Sequence, residues 1–279
     1  MPRRNDTTSR RRRFAEAARE ERPDLALLCL LVGMEADTGL DEDGVDRAQI
    51  ELDRLAGLLP FSPGGPEGWA AALARVLGEG HDFRGSAADY RRLESSLLHE
   101  VLRRRRGLPI LLSVVWIEVA RRAGAPVYGV GLPGHFVVGF GDPYGQHVLV
   151  DPYDGGRTLS DEDAAMLVAG ATGTPLAPSM LTPSTPLEIV LRILNNIRAW
   201  AAARPERTDV QLWAIELSLL LPSHPARLRY ERAQLLVERG EFIAGAKELE
   251  TYAEVVAAVD AEAAEAVRRQ ARAARAMLN

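Results

Sequence analysis

Two side chains in the middle of the sequence have the types and surroundings that proton transfer requires. His135 stands in Leu132-Pro133-Gly134-His135-Phe136, and Asp151 in Leu149-Val150-Asp151-Pro152-Tyr153. Between them lies Asp142-Pro143-Tyr144-Gly145, a turn by residue chemistry. If that turn centres near Pro143 and Tyr144, Asp151 faces His135 or Phe136 across a hairpin, with Cβ atoms about 4.5–5.5 Å apart. A carboxylate so placed fixes the tautomer of the imidazole and raises its basicity, as the partner of a general base does. The pair suits a structural role equally well, because buried polar groups are hydrogen-bonded whether or not they react. A one-residue slip in pairing would send one side chain to the opposite face.

A nucleophile is harder to find. The only cysteine, Cys29, lies in the apolar run Leu25-Ala26-Leu27-Leu28-Cys29-Leu30-Leu31-Val32 and reads as a small buried hydrophobe. A single thiol forms no internal disulfide and no multi-cysteine metal site. Ser113 falls inside an apolar helix, where a hydroxyl ordinarily bonds back to the carbonyl four residues earlier. His81, His99 and His135 show no ligand spacing, so neither a metal nor another cofactor is expected. His147 alternates onto a hairpin face and reads as a surface residue. Gly155-Gly156 lacks the lysine and helix-opening serine or threonine of a phosphate loop. Arg103-Arg104-Arg105-Arg106 is the densest basic run before the central helix. It reads as a solvated helix end, with a phosphate or acidic peptide ligand as the sharper alternative.

The elements that must hold these residues follow from periodicity. Apolar positions recur at helical spacing from Pro23 to about Leu59, which fits two helices, the second from about Val45 to Leu58. Another helix is expected near Trp69 to Leu77, and helical spacing resumes over Leu97 to Leu102. The stretch from Ile110 to Ala120 is apolar nearly all round, so its helix must be buried at the domain centre. Pro109 opens that helix at the one position where a missing N–H costs nothing. Three β-like runs follow, Val127 to Leu132, His135 to Phe140 and Gln146 to Val150. Residues 171–186 read as a linker, and helices return to the end of the chain. Within Pro225 to Ala253, Ala233, Gly240, Phe242, Ala246 and Tyr252 sit where a tetratricopeptide unit places its small and aromatic packing residues. Only one full unit is evident, fewer than a free-standing solenoid needs.

Composition narrows the function classes. Of 279 residues 47% are apolar, which indicates a folded chain. A net charge of −5, from 39 acids against 34 bases, gives no general pull toward nucleic acid. No run of about 20 apolar residues occurs, so no membrane span is expected. Ser9-Arg10-Arg11-Arg12-Arg13-Phe14 has the look of a twin-arginine export signal, but the charged Ala15 to Glu21 follows where an apolar core belongs. Residues 1–22 are therefore expected to form a disordered basic tail on a cytoplasmic protein.

Several motifs occur in one order: Phe83-Arg84-Gly85, Arg105-Arg106-Gly107-Leu108-Pro109, Arg122-Ala123-Gly124-Ala125-Pro126, Pro133-Gly134-His135-Phe136, Asp151-Pro152-Tyr153-Asp154-Gly155-Gly156 and Leu194-Asn195-Asn196. Together they resemble transglutaminase-like proteins of the papain-like superfamily, and more closely the bacterial SirB family, over about residues 24–255. The resemblance implies an α+β fold. A helical region at 23–104 would precede a transglutaminase-like core at 105–170 with a small antiparallel sheet, and tetratricopeptide-like helices would occupy 187–279. In catalytic relatives a cysteine opens the buried helix, where helix N–H groups and a nearby histidine lower its pKa. Counting back from Gly124, the matching position here is Pro109, while His135 and Asp151 match the other two triad positions. The resemblance further implies binding roles for Arg84, Arg106, Gly134, Phe136 and Tyr153. It points to a non-catalytic module that holds a peptide or another protein. The alternative is a hydrolase or acyl-transfer enzyme of altered mechanism, with His135 as general base oriented by Asp151.

Overall fold

A computed structural model describes residues 4–277 of the chain, in two compact units that divide after Ile193. In the first unit the decisive element is α6 (Pro109–Arg122), in which every residue from Pro109 to Ala120 is buried. An all-apolar helix has no face to offer water. It packs against α2 (Leu25–Ala36), α3 (Glu42–Ala56), α4 (Pro66–Leu73), α5 (Leu98–Arg104) and the sheet. Its single internal acid, Glu118, is 1% exposed and pairs with Arg121 and Arg122. Arg122 also reaches Asp53 at 2.8 Å, which ties α6 to α3.

The sheet has five antiparallel strands in the order β4-β3-β2-β1-β5: β1 (Val127–Val130), β2 (Val137–Gly141), β3 (His147–Asp151), β4 (Arg157–Leu159) and β5 (Pro183–Ser184). The last two escape the sequence reading because they are two or three residues long, too short to show alternation. Val130, Leu132, Val137, Leu149 and Leu159 pack with Val168 of α7 (Asp161–Thr172), and Met180 and Leu181 lie against the same cluster. Residues 171–186, expected as a linker, therefore contribute a 3-10 turn at Pro178–Leu181 and an edge strand.

The basic tail needs correction. Residues 1–3 lie outside the described residues, but Arg4–Ala17 forms helix α1, and Phe14 is 1% exposed. Arg11 bonds Glu35 and Arg10 donates to the carbonyl of Met34, both on α2. Its arginines are thus matched by acids and carbonyls of a neighbouring helix, information that local charge density does not contain.

Two other departures are local. The helix near Trp69 ends early as α4 and continues as a π-helical segment, Ala74–Gly80. Between Phe83 and α5 the chain makes two 3-10 turns, Ala87–Arg91 and Leu93–Ser96.

The second unit holds α9 (Thr208–Leu220), α10 (Arg227–Glu238), α11 (Phe242–Ala257) and α12 (Ala261–Ala276), while α8 (Pro186–Ala202) spans the division. Ala233, Leu249, Ala253, Val267 and Ala271 form its core, with the Tyr230 and Tyr252 rings 5.3 Å apart beside them. Gly240 ends the α10–α11 turn at φ +81°, a conformation that favours glycine. No described helix is long and apolar enough to cross a membrane.

Two tests follow from this packing. Phe14→Ala leaves a void where α1 meets the rest of the unit and should lower unfolding free energy by about 3 kcal/mol, read by denaturant titration. Glu51 accepts from Arg54 and Arg105, and these bonds, against the cost of partial burial, hold its pKa at about 2 instead of 4.5. A depressed carboxyl pKa stabilises the fold above the unfolded value and loses that contribution as pH falls through the folded one. The stability gap between wild type and Glu51→Gln should therefore be full near neutral pH and close as pH falls from about 4.5 to about 2.

Candidate functional site

His135 lies in the connection between β1 and β2, and Asp151 is the last residue of β3. The hairpin pairs Val138 with Val150 and Gly141 with His147, and Asp142 N–H bonds the Gln146 carbonyl at 3.0 Å. This loop is longer than a turn centred on Pro143 and Tyr144, so the register differs from the expected one. Continued past its last pair, the ladder sets Asp151 opposite Val137, two residues beyond His135. A diagonal neighbour at about 7–8 Å between backbones is still within reach of an imidazole. The two side chains do meet: His135 Nε2 lies 2.9 Å from Asp151 Oδ2, with only 12% and 6% of the side chains exposed. A carboxylate only accepts, so Nε2 is the donor, which leaves Nδ1 as the basic nitrogen of a neutral ring. Asp151 Oδ1 accepts from the Tyr153 N–H at 2.9 Å, so both carboxylate oxygens are engaged.

The approach to this pair is aromatic. The Tyr153 ring stands edge-on to the imidazole, centroids 5.9 Å apart, and Tyr90 packs against Tyr153 at 6.3 Å. Burial first, and then nearby acids including Asp151, push both phenols above their ordinary pKa, so they stay protonated near neutral pH. Gly85 makes room for this arrangement. A Cβ at that position would lie 1.9 Å from Tyr153 ring carbons, and Gly85 N–H donates to the Tyr153 carbonyl at 2.9 Å. Behind Tyr90, the buried carboxylate of Asp89 accepts from Ser86 and Ser95 at 2.8 and 3.0 Å, with Arg104 3.4 Å away.

Pro109 is buried at the first turn of α6, as the helix pattern requires. Ser113, one turn on, does not bond back along its own helix. Its Oγ donates to the Phe136 carbonyl at 3.3 Å and so fixes this end of α6 to the segment that carries His135. The only thiol is elsewhere. Cys29 is 2% exposed on α2, and the charges acting on it are Glu118 and Asp24. Desolvation, reinforced by those two acids, drives its pKa upward and keeps it protonated. No hydrogen bond joins it to His135 among the described residues.

The residues with expected binding roles separate. Tyr153 touches His135, and Gly134 bends the loop at φ +72°. Phe136 is 1% exposed and belongs to the core. Arg84 and Arg106 bracket Asp82 at 3.0 and 2.8 Å, and neither bonds to His135 or Asp151. His81 bonds the Val76 carbonyl and His99 lies 3.5 Å from Asp37, so the three histidines do not converge. Among the described residues no three potential metal ligands gather. Tyr90, Asp89 and Arg192 escape the sequence reading. Nothing in their spacing marks them, because 3-10 turns and a later helix bring them into place.

Comparison with known proteins accords with this architecture. Residues 46–195 match the transglutaminase-like superfamily, and residues 197–279 match a tetratricopeptide repeat. A UPF0162 protein of Xylella fastidiosa is 34% identical over 165 residues, which cover 57% of this chain and 58% of that protein. The F-box only protein 21 of Mus musculus is 24% identical over 165 residues, only 26% of its length. Among solved structures, that of menin, described as revealing the binding site for the Mixed Lineage Leukemia protein, aligns at a TM-score of 0.42 and 13% identity over 88% of this chain and 69% of menin, too slight a likeness to carry an argument. With more than half its residues matched, and with the buried helix and antiparallel sheet in place, the chain belongs to the transglutaminase-like superfamily.

Proposed function

We propose that this chain is a binding module of the SirB type, in which a transglutaminase-like core without a nucleophilic cysteine is joined to a tetratricopeptide surface that takes a protein or peptide. One observation supports the reading: a proline opens the buried helix, at the position that the family resemblance gives to the thiol, and the sequence's only cysteine is buried on another helix with its pKa raised. Proline supplies neither an attacking atom nor an N–H to stabilise an anion. The match of this region to about a quarter of a longer F-box protein also suits a portable module.

The helical unit offers a surface for such a partner. A cavity of about 340 Å³ is lined by Leu219 of α9, Arg229 and Arg232 of α10, and Ala244, Lys247, Glu248 and Thr251 of α11. Arg232 is committed to Glu216 and Glu248, whereas Arg229 and Lys247 take part in no ion pair among the described residues. Two cations beside an apolar floor suit an acidic peptide.

A second reading rests on the 2.9 Å contact between His135 and Asp151. An imidazole held by a carboxylate can serve as a general base that activates water or a substrate hydroxyl. That chemistry needs Nδ1 open to substrate, since Nε2 is engaged by Asp151.

The two readings part in a direct assay. Purified wild type should show no acyl transfer and no amide or ester hydrolysis above background. Turnover that disappears in His135→Ala would sink the binding reading and establish the second. For the partner surface, labelled glutamate-rich peptides should bind the full chain, and the double substitution R229E/K247E should weaken them at least about tenfold in fluorescence anisotropy. Equal affinity in the two proteins would remove this cavity from the proposal.

A further inference from the structure

Arg192 on α8 is a partly buried cation that forms no ion pair among the described residues. Its Nη2 instead donates to two backbone carbonyls, Leu132 at 2.5 Å and His135 at 2.6 Å. The guanidinium lies over the Phe136 ring, 5.5 Å from its centroid. Burial pulls its pKa below the ordinary arginine value. A cation taken from water without an acid partner is costly, and hydrogen bonds from carbonyl dipoles return only part of that cost. The neighbouring backbone makes way for it. A Cβ on Gly131 would come within 2.8 Å of Nη1, and a Cβ on Gly129 within 2.8 Å of the Phe136 ring.

What this cation holds is the turn Leu132-Pro133-Gly134-His135. The turn has one internal backbone bond, His135 N–H to the Leu132 carbonyl at 3.2 Å, and it passes through Gly134 at φ +72°. A glycine turn closed by a single bond has many conformations open to it. Arg192 grips the carbonyls at both ends of that turn, and Ser113 holds the next carbonyl, that of Phe136. The imidazole is thus anchored through its own peptide group on one side and through Asp151 on the other.

We propose that Arg192 is the positioning residue of the His135 site: it clamps the Leu132–His135 turn so that the imidazole is held on Asp151 before any ligand arrives. The proposal rests on the reading of His135 and Asp151 as the working part of the core. It is nonetheless tested without ligand or turnover, so it can fail or stand apart from that reading. A residue that serves only to join α8 to the sheet would lower stability without altering the state of the imidazole.

The test is histidine NMR on the full chain, with stability measured in parallel. In wild type the His135 Nε2–H should give a slowly exchanging downfield signal coupled to Asp151. Arg192→Met should broaden or abolish that signal and speed exchange of the His135 amide at least about tenfold. Arg192→Lys keeps a charged donor but is shorter and loses the planar group over the Phe136 ring, so it should restore the signal only in part. If Arg192→Met proves unstable, Arg192→Gln serves instead, since it keeps a polar end group that stops two bonds short of Nη2; it should broaden the same signal. An unchanged His135 signal in Arg192→Met or in Arg192→Gln, whatever the loss in melting temperature, overturns the proposal.

Discussion

The fold depends on keeping water from a helix that is apolar on every side. Twelve consecutive residues of α6 are buried, from Pro109 to Ala120. No amphipathic compromise is open to such a segment, so the chain must supply cover on all sides. It does so with helices α2 to α5 from upstream and strands β1 and β2 from downstream. The order of elements around α6 follows from that demand, and so does the place where Ser113, one turn into α6, meets the β1–β2 connection.

The site is assembled from parts that each satisfy a local requirement. Asp151 ends its strand with both oxygens occupied, one by an imidazole and one by a backbone N–H. A buried carboxylate left without donors would cost several kcal/mol, so the pair is stable whether or not it reacts. Tyr153 packs against the imidazole in the space that Gly85 leaves open, and Tyr90 packs in turn on Tyr153. The outcome is a shielded histidine held from the carboxylate side, from its backbone and along its ring edge. This is preorganisation of the kind that recognition and catalysis both use.

Much of this was legible without coordinates. The all-apolar run after Pro109 could only be a central helix, and the Asp142-Pro143-Tyr144-Gly145 turn could only fold the next runs back on one another. The hairpin put Asp151 opposite His135 or Phe136 and left their meeting to the register; the loop runs one to two residues longer than turn chemistry suggested, and the contact is diagonal. The basic segment at the start misled because its charge was read in isolation, whereas Glu35 of α2 neutralises part of it.

By itself the sequence determined which residue types exist. It has one thiol set among leucines, a proline at the head of an apolar run, and a histidine and an aspartate on either side of a hairpin turn. Those facts are local, since periodicity and residue chemistry act over a few positions. Tertiary structure alone decided what surrounds the imidazole. Tyr90 and Asp89 arrive from a 3-10 segment some 45 residues upstream, and Arg192 from a helix 57 residues downstream. No spacing rule links positions so far apart. They come together because burying α6 gathers distant segments, and because Gly131 leaves the space that Arg192 fills.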